Sequence, residues 1–440
     1  MTARQNVAPH LVHHPWKGTS MTATAATTPS AEEAPSTTTG TPPPGPLAGI
    51  KVLDISTVYA APITAMLLGD LGADVLKVEH PEGDPARTHG WNREGHGLWW
   101  KVIARNKRTA TLNFGKPEGA ELLRKLVEDA DVLVENFRPG VMEKWGLGPD
   151  VLLEINPRLV MLRVTGFGQT GPYSQRRAFG TLMEAMSGFA HQTGQEDGPP
   201  TLPPFGLADG VAGITGALAV LTALYKRDEP GRATGRGQVI DLSLLEPLLG
   251  ILGPGPTVYD QLGIIAGRHG NRSPNNAPRN AYLTRDGRWV AISASATSIA
   301  GRVMTLVGRA DLVEKPWFSS AGERSRRAEI LDGAVQKWIV ARELDEVLKS
   351  FEDAGAAIAP IYDIEQLVDD PHILARDTIT TVECEDLGPL RMQNLMFRMG
   401  ETPGAIRWPG RRLGQDNTEV FAELGVDEQE LVALREKGVV

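Results

Sequence analysis

The runs Ile50-Lys51-Val52-Leu53-Asp54-Ile55 and Asp74-Val75-Leu76-Lys77-Val78-Glu79, with the apolar segment Pro62 to Leu71 between them, decide the fold. Each short run is rich in Val, Ile and Leu and predicts a buried strand, and the segment between is long enough for a helix, so the three make one βαβ unit. The pattern repeats with a helix over Glu118 to Asp129, a strand at Asp131-Val132-Leu133-Val134, short helices near Val141 and from Pro149 to Ile155, and a strand from Arg158 to Val164. An apolar helix from Gly210 to Tyr225 then leads through the loop Gly231 to Gly237 into a strand at Gln238-Val239-Ile240-Asp241-Leu242. Apolar strands alternating with helices predict an α/β fold with a mostly parallel, Rossmann-like sheet covered on both faces. The first strand-to-helix turn, Ser56-Thr57-Val58-Tyr59-Ala60-Ala61-Pro62, lacks the G-x-G-x-x-G that lets a pyrophosphate approach the backbone, so NAD or FAD binding is not expected. The phosphate loop G-x-x-x-x-G-K-[ST], the G-x-S-x-G elbow and the H-E-x-x-H helix are also missing from the sequence.

Further along, Gly253-Pro254-Gly255-Pro256 and Pro274-Asn275-Asn276-Ala277-Pro278 punctuate a segment over 253–280 that is expected to be irregular and to mark a boundary. Tyr282 to Ser293 predicts a hairpin about Arg285-Asp286-Gly287, with helices near 297–308, 324–341 and 343–354 and a strand at Ile358 to Tyr362 behind it. The tail predicts strands near 379–383 and 389–392 and helices near 416–424 and 427–437. The expected organisation is therefore a large α/β domain beginning over 46–255, a smaller α/β domain with linkers over 256–375, and a return to the large domain over 376–440. Residues 1–45, dominated by Thr, Ala, Pro and Ser, cannot bury enough to fold and are expected to be a disordered tail. That tail lacks an apolar h-region and is not a secretory signal, and Met21 is an alternative start within it.

With 440 residues, 41% of them hydrophobic, the chain can bury at least one large core. Its formal charge of −9 excludes the basic footprint of a nucleic-acid binder, so any anionic ligand must meet a local cluster of Lys and Arg. Cys384 is the only cysteine, which excludes an internal disulfide framework and a multi-cysteine zinc site; no metal is expected, and a reducing cytoplasm fits. No uninterrupted apolar stretch reaches the roughly 20 residues of a membrane span, so no membrane association is expected.

One carboxylate stands apart. Asp209 is the only charge between Asp197 and Lys226, set among glycines and apolar residues in Phe205-Gly206-Leu207-Ala208-Asp209-Gly210. Its place just before the apolar helix predicts an N-cap. That role is compatible with chemistry, because helix-start N–H groups favour the ionised form that a covalent nucleophile needs.

A series of motifs follows in order: Pro46-Leu47-Ala48-Gly49-Ile50, Leu71-Gly72-Ala73-Asp74, Arg105-Asn106-Lys107-Arg108, Val134-Glu135-Asn136-Phe137-Arg138-Pro139-Gly140, Thr165-Gly166-Phe167-Gly168-Gln169-Thr170-Gly171-Pro172, Gly235-Arg236-Gly237-Gln238 and Asp370-Pro371-His372. On these the chain, from about residue 46 to residue 440, resembles the class III CoA-transferases, the family of formyl-CoA transferase and carnitine CoA-transferase that also includes the α-methylacyl-CoA racemases. The resemblance implies transfer of CoA between an acyl-CoA and a free carboxylic acid, with coenzyme A as substrate and product and no tightly bound cofactor. It also implies an interlocked homodimer. The family's nucleophilic aspartate falls on Asp209, which would form a mixed anhydride and then an aspartyl-CoA thioester, conserving the activated acyl bond. The family's CoA-binding positions fall on Tyr59, Ala60, His80, Leu112, Asn113, Phe114, Gly115, Asn136, Phe137, Arg138 and Lys144, and on Arg177 to Gly180, which include Ala178 and Phe179. Lys107, Arg108 and Lys116 lie close by in sequence as phosphate partners, and Gln169 and Gly180 are candidate substrate contacts.

Departures from the family pattern are informative. Many relatives carry Asp or Glu at the place of Gly180, and the racemase branch carries histidine at the place of Phe179. Without that second acid/base group, racemisation is disfavoured. Glu184, one helical turn beyond Gly180, would bring a carboxylate into nearby space if that segment is helical, but a solvent-exposed or packing role is the expectation. The leading reading is a CoA-transferase acting through Asp209. The alternatives are an acyl-CoA racemase or epimerase and a non-catalytic CoA-ester-binding subunit.

Overall fold

Six strands form the central sheet: β1 (Lys51–Asp54), β2 (Asp74–Glu79), β3 (Lys107–Thr111), β4 (Val132–Glu135), β5 (Val160–Thr165) and β6 (Val239–Ser243). The computed structural model describes residues 45–440, so the expected disordered tail and Met21 lie outside the described residues. All six strands are parallel, in the order β3-β2-β1-β4-β5-β6. Register places Val52, Val75 and Val132 side by side on one face and Leu53, Leu76 and Leu133 on the other. The valine face is covered by α1 (Ala60–Asp70) and the long helix of the chain, and the leucine face by α2 (Pro117–Glu128) and the C-terminal helices, through Leu123, Phe421 and Leu434. Strand order runs outward from β1 to β3 on one side and from β4 to β6 on the other. The crevice at the carboxyl ends of β1 and β4 is therefore the topological switch point, where open α/β sheets bind ligands.

Two more helices shape that crevice, α3 (Gly180–Met186) and α4 (Leu207–Asp228). Small residues let α4 lie directly on α1: a Cβ on Gly213 would stand 2.5 Å from the Ile63 side chain and 2.9 Å from the Ala60 carbonyl, and Thr64 donates to the Gly213 carbonyl at 2.9 Å. Such close approach fixes the start of α4 beside the start of α1. At 22 residues and a mean hydropathy of 1.7 in its most apolar stretch, α4 is long and apolar enough to cross a membrane, which inspection of uninterrupted apolar runs does not reveal. Its Ala208, Ala212, Val220 and Leu224 are packed in the core behind the sheet.

A second core, drawn from residues between Ala277 and Ile358, backs a three-stranded antiparallel sheet of β7 (Arg279–Leu283), β8 (Trp289–Ser293) and β9 (Ile358–Pro360), in the order β9-β8-β7. A separate hairpin pairs β10 (Ile379–Cys384) with β11 (Gly388–Gln393). The segment expected to be irregular over 253–280 in fact contains a helix, Gly255–Leu262, with Pro254 as its N-cap residue and a second proline in its first turn. Prolines that read as breakers are here in the one part of a helix that tolerates them.

Candidate active site

The turn between β1 and α1 is held by side chains from neighbouring strands. Ser56 N–H donates to Asp54 at 3.1 Å, while Asn136 clamps Thr57 from both sides, accepting from its N–H and donating to its carbonyl, each at 2.8 Å. Val58 N–H donates to Asp84 at 3.1 Å. These bonds keep Val58 at φ +69°, a left-handed conformation that is costly for a β-branched residue and is sustained only where the surroundings over-determine it. The turn delivers Tyr59 and the start of α1 to the crevice, with the Tyr59 ring stacked on Trp99 at 4.7 Å.

Opposite stands Asp209. Helix α4 begins at Leu207 with Gly206 as its N-cap residue, so Asp209 is the third helical residue and not the expected N-cap, and it makes no capping bond. Leu207 and Ala208 are good helix formers and extend the helix backwards past the position that sequence reading chose. The Asp209 carboxylate lies against Gly180, the first residue of α3: a Cβ there would overlap Asp209 Oδ2. Glu184, on the same helix, is only 1% exposed and accepts the Ala208 N–H at 3.1 Å. Solvent exposure, one of its two expected settings, is thereby corrected, since α3 forms and turns the carboxylate inward. Burial, reinforced by the Glu184 charge, pushes the Asp209 carboxyl up to about 6. The Tyr59 hydroxyl is pushed up by burial and by the same two carboxylates.

Two cavities meet at this crevice. The first, about 330 Å³, is lined by Asp209 together with Tyr59, Ala60, Asn136, Arg138, Arg176, Arg177, Ala178 and Phe179. The second, about 270 Å³, is lined by Lys77, His80, Asp84, Leu112, Asn113, Phe114, Gly115 and Trp145. Thr57 and Phe137 line both, so the cavities adjoin. Phe114, Phe137 and Trp145 form an aromatic cluster with centroids 5.0–6.4 Å apart at the second cavity, a surface suited to a flat heterocycle. An extended ligand with an aromatic end, a charged middle and a reactive tip at Asp209 would fill the pair.

The family model for CoA-transferase family III matches residues 47–417. The chain belongs to CoA-transferase family III. It is 40% identical over 401 residues to the succinyl-CoA–D-citramalate CoA-transferase of Chloroflexus aurantiacus, covering 90% of this chain and 99% of that protein. It is 41% identical to the beta subunit of the succinyl-CoA–L-malate CoA-transferase of the same organism, covering 90% and 98%. Among solved structures, a CaiB/BaiF family protein from Brucella suis superposes with a TM-score of 0.76 at 30% identity, covering 87% of this chain and all of that one.

As a class III CoA-transferase, the enzyme acts on CoA esters, and most positions that resemblance assigns to them surround the two cavities. Tyr59, Ala60, Asn136, Phe137, Arg138, Arg177, Ala178 and Phe179 line the first, and His80, Leu112, Asn113, Phe114 and Gly115 the second. The Asn136 amide is engaged with Thr57, and the Phe179 ring is 70% exposed. Other expected contacts are elsewhere. Arg108 sits at the opposite end of the sheet, bonded to Asp74 at 3.0 Å and Glu423 at 3.1 Å. Lys107 is fully buried and paired with Asp54 at 2.8 Å, so it is a structural cation and not a phosphate partner. Lys116 donates to the Lys437 carbonyl, and Lys144 is exposed and lines neither cavity. Gln169 N–H donates to both Asp241 oxygens at 3.0 Å, which gives that residue a turn role away from the cavity. Sequence reading missed Trp145 and Arg176. Trp145 is adjacent to the Lys144 position, and Arg176 is the neighbour of Arg177, so only the side-chain directions were absent.

Proposed function

We propose that this CoA-transferase moves CoA between a dicarboxylic acyl-CoA, of the succinyl-CoA type, and a second dicarboxylic acid, through a covalent intermediate on Asp209. The observation that carries the reading is Asp209 itself, a half-sheltered carboxylate of raised basicity in a cavity that adjoins a second, aromatic-walled one. Its oxygen attacks the donor thioester carbonyl, the C–S bond breaks, and CoA leaves as the thiolate, giving a mixed anhydride. The thiolate then attacks the Asp209 carbonyl, releasing the donor acid and leaving an aspartyl-CoA thioester. The acceptor carboxylate repeats the exchange in reverse, and Asp209 is regenerated. Each step conserves the activated acyl bond, so no nucleotide hydrolysis is required.

Substrate class follows from charge and relatives together. The relatives named above use succinyl-CoA with citramalate or malate, and a 31% identical Agrobacterium fabrum protein is a succinate–glutarate CoA-transferase. Arg138, Arg176 and Arg177 give an acidic protein a local positive mouth at the Asp209 cavity. Arg138 and Arg177 suit the CoA phosphates, which leaves Arg176 for the distal carboxylate of the acyl group. The apolar side chains Ile214, Leu218 and Tyr225, which stripe one face of α4 in the single chain, support the homodimer that the resemblance implies.

Incubation with succinyl-CoA followed by intact-mass analysis, before and after hydroxylamine or borohydride treatment that cleaves a thioester and releases its CoA, tests the reading. A CoA-sized adduct that maps to Asp209 and is lost in Asp209→Asn is the expected result. An unmodified enzyme that exchanges the substrate α-proton for deuterium would overturn it in favour of racemisation; among the described residues no histidine lines the Asp209 cavity.

A further inference from the structure

The buried acid that this reaction scheme leaves unused is Glu184. Fifth residue of α3, it is 1% exposed, and among the described residues its carboxylate has one partner, the Ala208 N–H at 3.1 Å, one residue before Asp209. A carboxylate that served packing alone would be replaced at no loss by an amide or an apolar side chain, because burying a charge against a single neutral donor is costly. The other charged or titratable groups facing Asp209 do not neutralise the pair. Tyr59, from the β1–α1 turn, is kept neutral by burial and by the nearby carboxylate charges, while Arg138, Arg176 and Arg177 are solvent-exposed on loops at the mouth of the cavity.

Resting on the assignment of Asp209 as the nucleophile, we infer that Glu184 is a positioning residue whose buried negative charge destabilises the free Asp209 carboxylate and so favours its acylation. The charge balance is simple. In free enzyme two carboxylates share a site with no cation; when Asp209 oxygen bonds to the acyl carbon and CoA departs as thiolate, Asp209 becomes neutral and the like-charge contact disappears. The same relief accompanies the aspartyl-CoA thioester. Gly180 makes the arrangement possible, since any side chain there would push Asp209 away from the helix that carries Glu184. Burial is the larger cause of the raised basicity of Asp209, and the Glu184 charge adds to it in the same direction.

Glu184→Gln separates charge from shape, because the amide oxygen still accepts the Ala208 N–H. Adduct occupancy with succinyl-CoA and the pH dependence of kcat/KM are measured for wild type, Glu184→Gln and Glu184→Asp. Removing the charge is expected to lower steady-state adduct by about tenfold and to move the acid limb of the profile down by about one pH unit, with the KM for succinyl-CoA within about threefold. Glu184→Asp, which keeps a charge, is expected to retain most of both. A wild-type profile and adduct level in Glu184→Gln would overturn the inference and leave Glu184 a structural acceptor. Should Glu184→Gln fail to fold, Glu184→Met decides: a lowered adduct level and an acid limb moved down in that variant support the inference, and wild-type values of both sink it. No adduct in the wild type at any pH would instead remove Asp209 as nucleophile, a separate outcome.

Discussion

Where β1, β2 and β3 meet, four charged side chains are buried and every one has an opposite partner: Lys107 with Asp54 at 2.8 Å, Lys77 with Asp84 at 3.1 Å, and Lys77 again with Asp54 at 3.7 Å. Where α3 meets α4, two carboxylates face each other, and neither has a cation among the described residues. In the first cluster the two lysines overcome burial and hold the Asp54 carboxyl below its ordinary value; in the second, burial and Glu184 drive Asp209 the other way. The paired cluster fixes backbone, since Asp84 pins Val58 and Lys77 donates to the Ser56 carbonyl. The unpaired one fixes nothing that an amide could not fix. A fold tolerates uncompensated buried charge where chemistry uses it, and these neighbouring sites separate the two roles.

Opposite signs of stability change are the sharpest way to break that contrast. Asp209→Asn is expected to reduce CoA transfer by at least about 10⁴-fold while leaving CoA affinity within roughly tenfold, because the aromatic and basic contacts lie away from residue 209. The same substitution should raise stability at pH 8. Lys107→Met is expected to lower stability by about 3–5 kcal/mol in chemical denaturation, because Asp54 is left buried with its nearer cation gone. Two substitutions that each remove one buried charge would thus move the unfolding midpoint in opposite directions. If both destabilise, the contrast fails.

The pH dependence sharpens the first of these. Asp209 has its folded pKa raised from 3.8 to about 6, so the folded protein binds that proton more tightly than the unfolded chain does. The associated stability is fully present below about pH 4 and is lost as pH rises through about 6. Two pK units correspond to roughly 3 kcal/mol. Asp209→Asn should therefore match the wild type near pH 4 and exceed it by up to roughly that amount at pH 8, as read from urea titrations at the two pH values.

Much of this contrast was hidden in the sequence, for reasons that are physical. Strands β1, β2 and β4 are apolar runs and announce themselves, whereas β3 opens on Lys107 and Arg108 and offers no apolar run to read. Its legibility depends on Asp54 lying 53 residues away in sequence and within bonding distance in space. A basic residue next to a ligand-binding motif looks the same whether it faces a phosphate or a buried aspartate. Asp209 stood out by isolation, but its place in the first turn depends on where α4 actually starts, which packing against α1 settles. Glu184 required two unknowns at once, that 180–186 is helical and that this helix turns inward against α4. Neither follows from local pattern.

Gly180→Ala tests the geometry that keeps the unpaired site together. Alanine favours the helix, so stability should change by less than about 1 kcal/mol. The new methyl group would take the space of Asp209 Oδ2, and a flexible carboxylate yields before the backbone does. A displacement of about an ångström at a nucleophile costs on the order of 10²-fold in rate. The expected outcome is an unchanged melting temperature with kcat lowered by about that factor and KM little altered. Unaltered kcat would show that Asp209 works from a different position.

The smallest effect belongs to the exposed rim, the third electrostatic setting around the same cavity. Arg176 packs its guanidinium over the Tyr173 ring at 3.6 Å and is solvent-exposed, so its attraction for a substrate carboxylate is screened and worth up to about 1 kcal/mol. Arg176→Met is expected to raise the KM for succinyl-CoA by about three- to fivefold, with kcat unchanged and with the difference shrinking as salt is raised. Butyryl-CoA, which has the same chain length without the distal carboxylate, should show no such change. A loss of the same size for both esters would assign Arg176 to the CoA portion, and the dicarboxylate preference would then need another residue.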